Sequence, residues 1–248
     1  CGSVDSVLAH LAECEARLET IETSELREKE LSAELKTLRG KYLESALRLH
    51  GKRDDASAKF SKRVEANLKA VALEKARFVV GIETPSKEEL ASEEFESFSP
   101  KGIDAVEFLF SANVGEAPKP LAKVASGGEA SRLMLILKTS ADNVRGPSAV
   151  FDEIDAGIGG RVAEAVGVKL KALAETDQVL CVTHQPQVAS KADKHFVIEK
   201  TVTKGRTTIS GRDLSPTERV EEIARMLAGE KITAAARENA REMIAAAG

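Results

Sequence analysis

The stretch PSAVFDEIDAGIGG, residues 147–160, carries three carboxylates in four residues: Asp152, Glu153 and Asp155. They follow a short apolar run, Ala149-Val150-Phe151, and glycines come close behind. Such a run reads as a strand that delivers its acids at a C-terminal edge, where ligands bind in open α/β sheets. This is the layout of a Walker B element. The first acid is suited to hold Mg2+ through water, because that ion dehydrates reluctantly. The second is suited to orient and polarise a water that attacks a phosphate. Taken alone, the stretch fits equally well a strand that runs out into solvent, with its acids capping the next helix.

Two further segments carry chemistry of a matching kind. VASGGEASR (124–132) places Ser126, Gly127 and Gly128 ahead of a helix. Glycines let a backbone approach an anion closely, and the unpaired N–H groups and positive end of a helix dipole then face it. The plainer reading is a glycine turn with Ser126 as cap. VLCVTHQP (179–186) is an apolar run that ends on His184, with Pro186 as its stop. An imidazole there could hydrogen-bond a phosphate oxygen or an attacking water, or simply cap the next turn. The order and spacing of the three segments together are more specific than any one of them.

Elements must hold these residues in place. Residues 4–49 read as a long helix in which Leu11, Cys14, Leu18 and Ile21, then Leu31, Leu35, Leu38 and Tyr42, step by three and four. Glu22–Glu30 interrupts the phase, as a stutter would. A second helical run covers about 53–76. A narrow apolar stripe with charge on every other face suits a coiled-coil arm. Acids dominate residues 1–34 and bases dominate 36–69. That asymmetry fits a solvated coil matched to its partner strand, or a basic stripe that attracts DNA phosphates through Lys52, Arg53, Lys59, Lys62, Arg63 and Lys69.

After Arg77 the pattern changes to strands at RFVVGIE and IDAVEFLFSANV, with loops at 88–102 and 115–128. Helix, strand, helix and strand then alternate to Thr183, which predicts an α/β layer with parallel central strands. A hairpin with Lys204-Gly205 at its tip follows. Ser215, Pro216 and Glu218 open a capped helix that stops at Gly229, and an Ala-rich helix spans about 231–246. The expected organisation is an arm over 1–76 and an α/β lobe over 77–248.

Composition bounds the rest. The 248 residues carry a formal charge of −4, which excludes a wholesale basic nucleic-acid binder but not a local patch. Three scattered cysteines without a CxxC suggest reduced thiols in a cytoplasmic protein. No apolar run approaches the ~20 residues that cross a bilayer. The chain starts at Cys1 and has its first methionine at Met134, so a piece of a longer polypeptide is expected. His10, His50 and His195 have no partner that the sequence identifies, and Cys181 reads as core.

The combination of VASGGEASR, FDEIDAGIGG and VLCVTHQP resembles the ABC-type ATPases of the SMC class, and within it the RecN family of bacterial DNA repair proteins. The resemblance runs from about residue 77 to the end. The helical first third fits the returning half of an antiparallel coil by character only. The resemblance implies the C-terminal lobe of an ABC/SMC-type P-loop ATPase head. Asp152 would bind Mg2+ and Glu153 would be the catalytic base. Asp155 would lie in a D-loop at a dimer interface, and His184 would sense the γ-phosphate of ATP. Ser126, Gly127, Gly128 and Glu129 would form the signature that clasps a nucleotide held by the partner of a homodimer. Ala125 stands where many ABC proteins have Leu. The implied partners are an N-terminal ATPase lobe and double-stranded DNA, in the cytoplasm at the nucleoid.

No G-x-x-x-x-G-K-[ST] occurs in the sequence, so nothing here cradles the α- and β-phosphates. In the resembled family that loop lies in the N-terminal lobe. The competing reading is a non-catalytic coiled-coil DNA tether with a vestigial head; intact Asp152, Glu153 and His184 weigh against it. A transporter's nucleotide-binding subunit would lack the long coil.

Overall fold

The computed structural model describes residues 3–92, 98–123, 127–141, 148–203 and 206–246. Contacts divide the chain into two units: Cys1–Asp55 with Ile82–Ala105, and Ala56–Gly81 with Val106–Gly248. This division departs from a boundary at 76/77. Val64, Leu68 and Val71 are buried in the core of the second unit, whereas Leu90 and Ile103 pack with Tyr42, Leu43 and Ala46 in the first.

Helix α1 runs unbroken from Val4 to Leu68, where the sequence suggests two runs and a lapse at Glu22–Glu30. A shift in the apolar phase leaves backbone hydrogen bonding intact, and the first proline is Pro85. Gly40 and Gly51 each cost about 1 kcal/mol in a helix interior but break nothing. Leu11, Leu18, Ile21, Leu31, Leu35 and Leu38, the predicted seam, all lie exposed. The charged pairs on the helix, such as Arg17–Glu13 at 3.6 Å, are solvated and contribute little.

Elsewhere in the first unit, residues 88–102 are not simply a loop. Ser86 and Glu89 form a capping box that opens α2 (Lys87–Ala91). The Tyr42 hydroxyl donates to the Ser99 carbonyl at 3.1 Å and accepts from the Ser99 N–H at 3.0 Å. Asp104, whose side chain is fully buried, pairs with His50 Nδ1, Arg53 Nη1 and Thr84 Oγ1, each at 2.8 Å. His50 therefore has the partner that the sequence did not reveal.

In the second unit, α1 ends in a 3-10 turn, Lys69–Val71, and Ala72 at φ 59° reverses the chain. Strands β1 (Arg77–Glu83), β2 (Ala105–Ser111) and β3 (Lys119–Pro120) form a sheet in that order, with β2 and β3 antiparallel. Helix α3 (Gly127–Ser140) leads to β4 (Ala149–Phe151), and α4 (Gly160–Ala174) crosses over to β5 (Val179–Cys181). The two strands pair in parallel, with Ala149 opposite Val179 and Phe151 opposite Cys181. This is the parallel layer that the strand–helix alternation predicts.

After α5 (Pro186–Ala189) come the hairpin β6 (Phe196–Thr203) and β7 (Arg206–Asp213), then α6 (Pro216–Ala228) and α7 (Ala234–Ala245). The predicted hairpin tip, Lys204-Gly205, lies outside the described residues. The Ser215–Glu218 capping box is present at the start of α6.

The main core joins Leu133, Leu135 and Ile136 of α3 to Phe151, Ile154, Val166 and Phe78. Ile223 and Ala224 of α6 meet Ala240 of α7 in a second cluster. Strands β4 and β5 bury a single face. Successive strand residues point to opposite sides, so Val150 (67%), Leu180 (49%) and Val182 (63%) stand exposed while Ala149 and Phe151 are buried. Parallel strands are ordinarily covered on both faces.

Candidate active site

Strand β4 delivers Asp152 and Glu153 into solvent immediately past Phe151. Asp152 Oδ1 accepts the Glu153 N–H at 2.9 Å. Glu153 has φ 55°, a left-handed conformation that costs a non-glycine residue roughly 1–2 kcal/mol. The chain then turns sharply, with Ala156 N–H to Glu153 C=O at 3.0 Å and Ile158 N–H to Asp155 C=O at 3.2 Å.

Helix α3 packs its N-terminus against this turn. A Cβ on Gly127 would stand 2.5 Å from Glu153 Oε2, and one on Gly128 would stand 3.1 Å from both the Glu153 carbonyl and Ala156 Cβ. A side chain at Gly127 would thus displace the Glu153 carboxylate and one at Gly128 would press on the turn's backbone, and the positive end of the helix lies beside that carboxylate. Ser131 Oγ donates to the Asp152 carbonyl at 2.8 Å. Arg132 is buried and donates to the carbonyls of Ile154 (3.3 Å) and Ala156 (3.0 Å). Burial pushes the Arg132 pKa down, against the charge of Glu129 one turn earlier. Ser131 and Arg132 thus clamp the acid-bearing turn, a role that the sequence analysis missed. The available signal was an arginine at a core-facing helix position.

Asp155 turns inward. Its side chain is 3% exposed, and its Oδ2 accepts from Thr183 Oγ1 and from the His184 N–H at 2.9 Å, while His184 Nδ1 lies 3.2 Å from the same oxygen. The His184 side chain is 72% exposed at the end of β5. Gln185 Nε2 donates to the Ile158 carbonyl at 3.1 Å and lies 3.3 Å from His184 Nε2. Cys181, packed against the core, has its thiol pushed up to about 12, first by burial and then by the charges of Asp155 and Asp152.

Asp152, Glu153, Asp155, Gly127, Gly128 and His184 therefore gather at the C-terminal ends of β4 and β5 and the N-terminus of α3. Glu129 is half-buried on the first turn of α3. Ser126 lies outside the described residues. Among the described residues no group of three or more His, Cys, Asp or Glu side chains is arranged to hold a metal ion. Mg2+ does not need such a cage, since one carboxylate with phosphate oxygens and water suffices. The exposed Asp152 carboxylate at a strand end fits that demand.

DNA repair protein RecN of Halalkalibacterium halodurans is 40% identical over 243 residues, covering 98% of this chain and 42% of its own length. The chain is similar to RecN over nearly all of its length. The RecN proteins of Mycobacterium tuberculosis (41% over 255 residues) and Bacillus subtilis (36% over 249 residues) also match 98% of the chain and 43% of their own lengths. The chain thus spans less than half the length of these RecN relatives. No protein-family model matches it. Among solved structures, the Smc head domain with a coiled coil and joint from Pyrococcus yayanosii aligns over 92% of this chain and 44% of its own, with TM-score 0.42 and 16% identity. The Smc head domain from Pyrococcus furiosus, bound to the C-terminal domain of ScpA, covers 89% and 53%, with TM-score 0.41 and 18% identity. Likeness at that level adds nothing to the RecN match. No helix among the described residues is long and apolar enough to cross a membrane.

Proposed function

We propose that this chain forms the C-terminal part of a RecN-like ATPase that acts in the repair of DNA double-strand breaks, in the cytoplasm at the nucleoid. The observation that carries the reading is Glu153, held in a left-handed conformation beside Asp152 and against the glycines of α3. Strained backbone persists where the surroundings over-determine it, and such sites are often functional. Asp152 holds Mg2+, which neutralises charge on the phosphates of ATP. Glu153 accepts the proton of the attacking water, and His184 reaches the terminal phosphate region. Positioning and electrostatics carry phosphoryl transfer, so these few side chains suffice once the triphosphate is gripped.

The grip itself comes from an N-terminal lobe with a Walker A loop. The bare face of Val150, Leu180 and Val182 next to the acids supports a lobe packed there, as do the greater lengths of the RecN relatives. The signature residues Ser126, Gly127, Gly128 and Glu129 clasp ATP held by the second copy in a head-to-head homodimer. ATP binding closes the dimer and hydrolysis loosens it, a ligand-driven shift in population. The exposed apolar seam of α1 supports pairing with an outgoing strand of the coil. Duplex DNA meets exposed bases on α1 and the turn that ends it, among them Lys52, Lys59, Lys62 and Lys69. Arg53 is instead committed to Asp104 and to the Lys101 carbonyl.

The purified chain alone should not turn over ATP. Joined to the N-terminal lobe it should do so, and Glu153→Gln should then cut turnover by roughly 10²- to 10⁴-fold while trapping an ATP-bound dimer on gel filtration. Normal turnover by Glu153→Gln would remove Glu153 as base. A completed protein that binds DNA but never hydrolyses ATP would return the tether reading.

A further inference from the structure

We propose that Asp155 is a positioning residue that holds His184 as its Nδ1–H tautomer, so that Nε2 is a hydrogen-bond acceptor. The proposal rests on the ATPase reading only for its consequence, not for its geometry.

The neighbours of the two ring nitrogens favour one arrangement. Asp155 Oδ2 can only accept while the carboxylate is ionised. His184 Nδ1 stands 3.2 Å from that oxygen, and a bare ring lone pair so close to a carboxylate would be repelled, which favours the proton on Nδ1. The same oxygen accepts the His184 N–H at 2.9 Å, which fixes the backbone that bears the ring. Thr183 Oγ1 also donates to that oxygen and in turn accepts the Gln185 N–H at 3.0 Å, so the hydroxyl proton has one direction. On the other side of the ring, the Ile158 carbonyl can only accept. The Gln185 amide must then turn its NH2 toward that carbonyl, 3.1 Å away, rather than its oxygen. That settles which end of the amide lies 3.3 Å from His184 Nε2. The NH2 is a donor, so Nε2 must accept. The carboxylate beside Nδ1 and the amide donor beside Nε2 favour the same tautomer.

This form is not the one that free neutral histidine favours, so the fold selects it. An unprotonated Nε2 can accept a hydrogen bond from an attacking water. It cannot donate to a phosphate oxygen until it gains a proton. In the ATPase reading, neutral His184 is therefore tuned to the water, and Asp155 serves the reaction without touching nucleotide.

Long-range 1H–15N correlation spectra of the 15N-histidine-labelled chain at pH 8 report ring tautomers directly. The chain has four histidines, and His184→Gln identifies the signal of interest. His184 should show a protonated Nδ1 and a bare Nε2, and an Nε2–H form in the wild-type chain would overturn the proposal. Asp155→Ala should release the ring to the Nε2–H form, and persistence of Nδ1–H there would also overturn it. If Asp155→Ala does not fold, Gln185→Leu decides: the ring should remain Nδ1–H, and a switch would show that Gln185, not Asp155, selects the tautomer. In a protein completed with its N-terminal lobe, Asp155→Ala should lower kcat at least ten-fold and leave KM for ATP within two-fold. A selected tautomer with no effect on turnover would overturn the catalytic consequence while leaving the geometry. Absence of turnover in every variant, wild type included, would instead count against the ATPase reading.

Discussion

Each unit buries one aspartate against a histidine and a threonine, and the two clusters differ in what completes them. Asp104 in the first unit also receives Arg53, so its charge meets a cation and its partners are half-buried. Asp155 in the second receives a hydroxyl, a backbone N–H and an imidazole that is itself mostly in solvent. The first cluster ties α1 to the segments around Thr84 and Asp104, within its own unit. The second ends in a side chain presented to whatever arrives. The same three residue types therefore form an anchor where an arginine closes the set, and a support where one member is left facing outward.

Removal of the anchor should produce the largest change in stability. Burial raises the Asp104 pKa, but the hydrogen bonds from Arg53, Thr84 and His50 outweigh it and hold the carboxyl below its ordinary 3.8. A depressed folded pKa means that the stabilisation is present above the ordinary carboxylate range and is lost as pH falls through the lowered value. Asp104→Asn should cost about 2–3 kcal/mol in urea unfolding at pH 7. The gap from wild type should narrow as pH falls through that lowered value. A gap that did not change with pH would mean that the ionised carboxylate is not what holds the cluster.

The histidines give a smaller and sharper contrast. His50→Ala removes a partner from a fully buried carboxylate and should cost about 1 kcal/mol. His184→Ala removes an exposed ring and leaves Asp155 with Thr183 and a backbone N–H, so the change should stay within about 0.5 kcal/mol. Equal losses on thermal denaturation would abolish the distinction between anchor and support.

The two clusters were unequally legible in the amino-acid sequence, for a physical reason. Asp152, Glu153 and His184 end apolar runs, and a strand end is a local signal that periodicity finds. So is the Ser215–Glu218 box, and the parallel pairing of β4 with β5 follows from their alternation with α4. Asp104 and His50 are 54 residues apart, and nothing in either neighbourhood announces the other. The Ser86–Glu89 box was as readable as that of Ser215, yet the acidic run after it reads as loop. The length of α1 was hidden because a lapse in the apolar stripe carries no information about backbone hydrogen bonds. The exposed face of Val150 and Leu180 could not be foreseen from a run that looks buried on both sides, since exposure depends on what else packs there.

Cys181 offers the smallest effect and the most direct view of the uncompensated charge. Its thiol is pushed up to about 12 by burial first, then by the unneutralised carboxylates of Asp155 and Asp152. Alkylation proceeds through the thiolate, so Cys181 should react far more slowly than the exposed Cys14 at pH 8.5, as peptide mapping by mass spectrometry would show. Asp155→Asn keeps the side-chain shape and deletes one of the two charges. The thiol pKa should fall but stay above the ordinary 9.0, because burial is unchanged, and the alkylation rate should rise a few-fold while Cys14 stays constant. An unaltered rate would mean that Asp155 is neutralised after all. The two aspartates would then differ only in the exposure of their histidines.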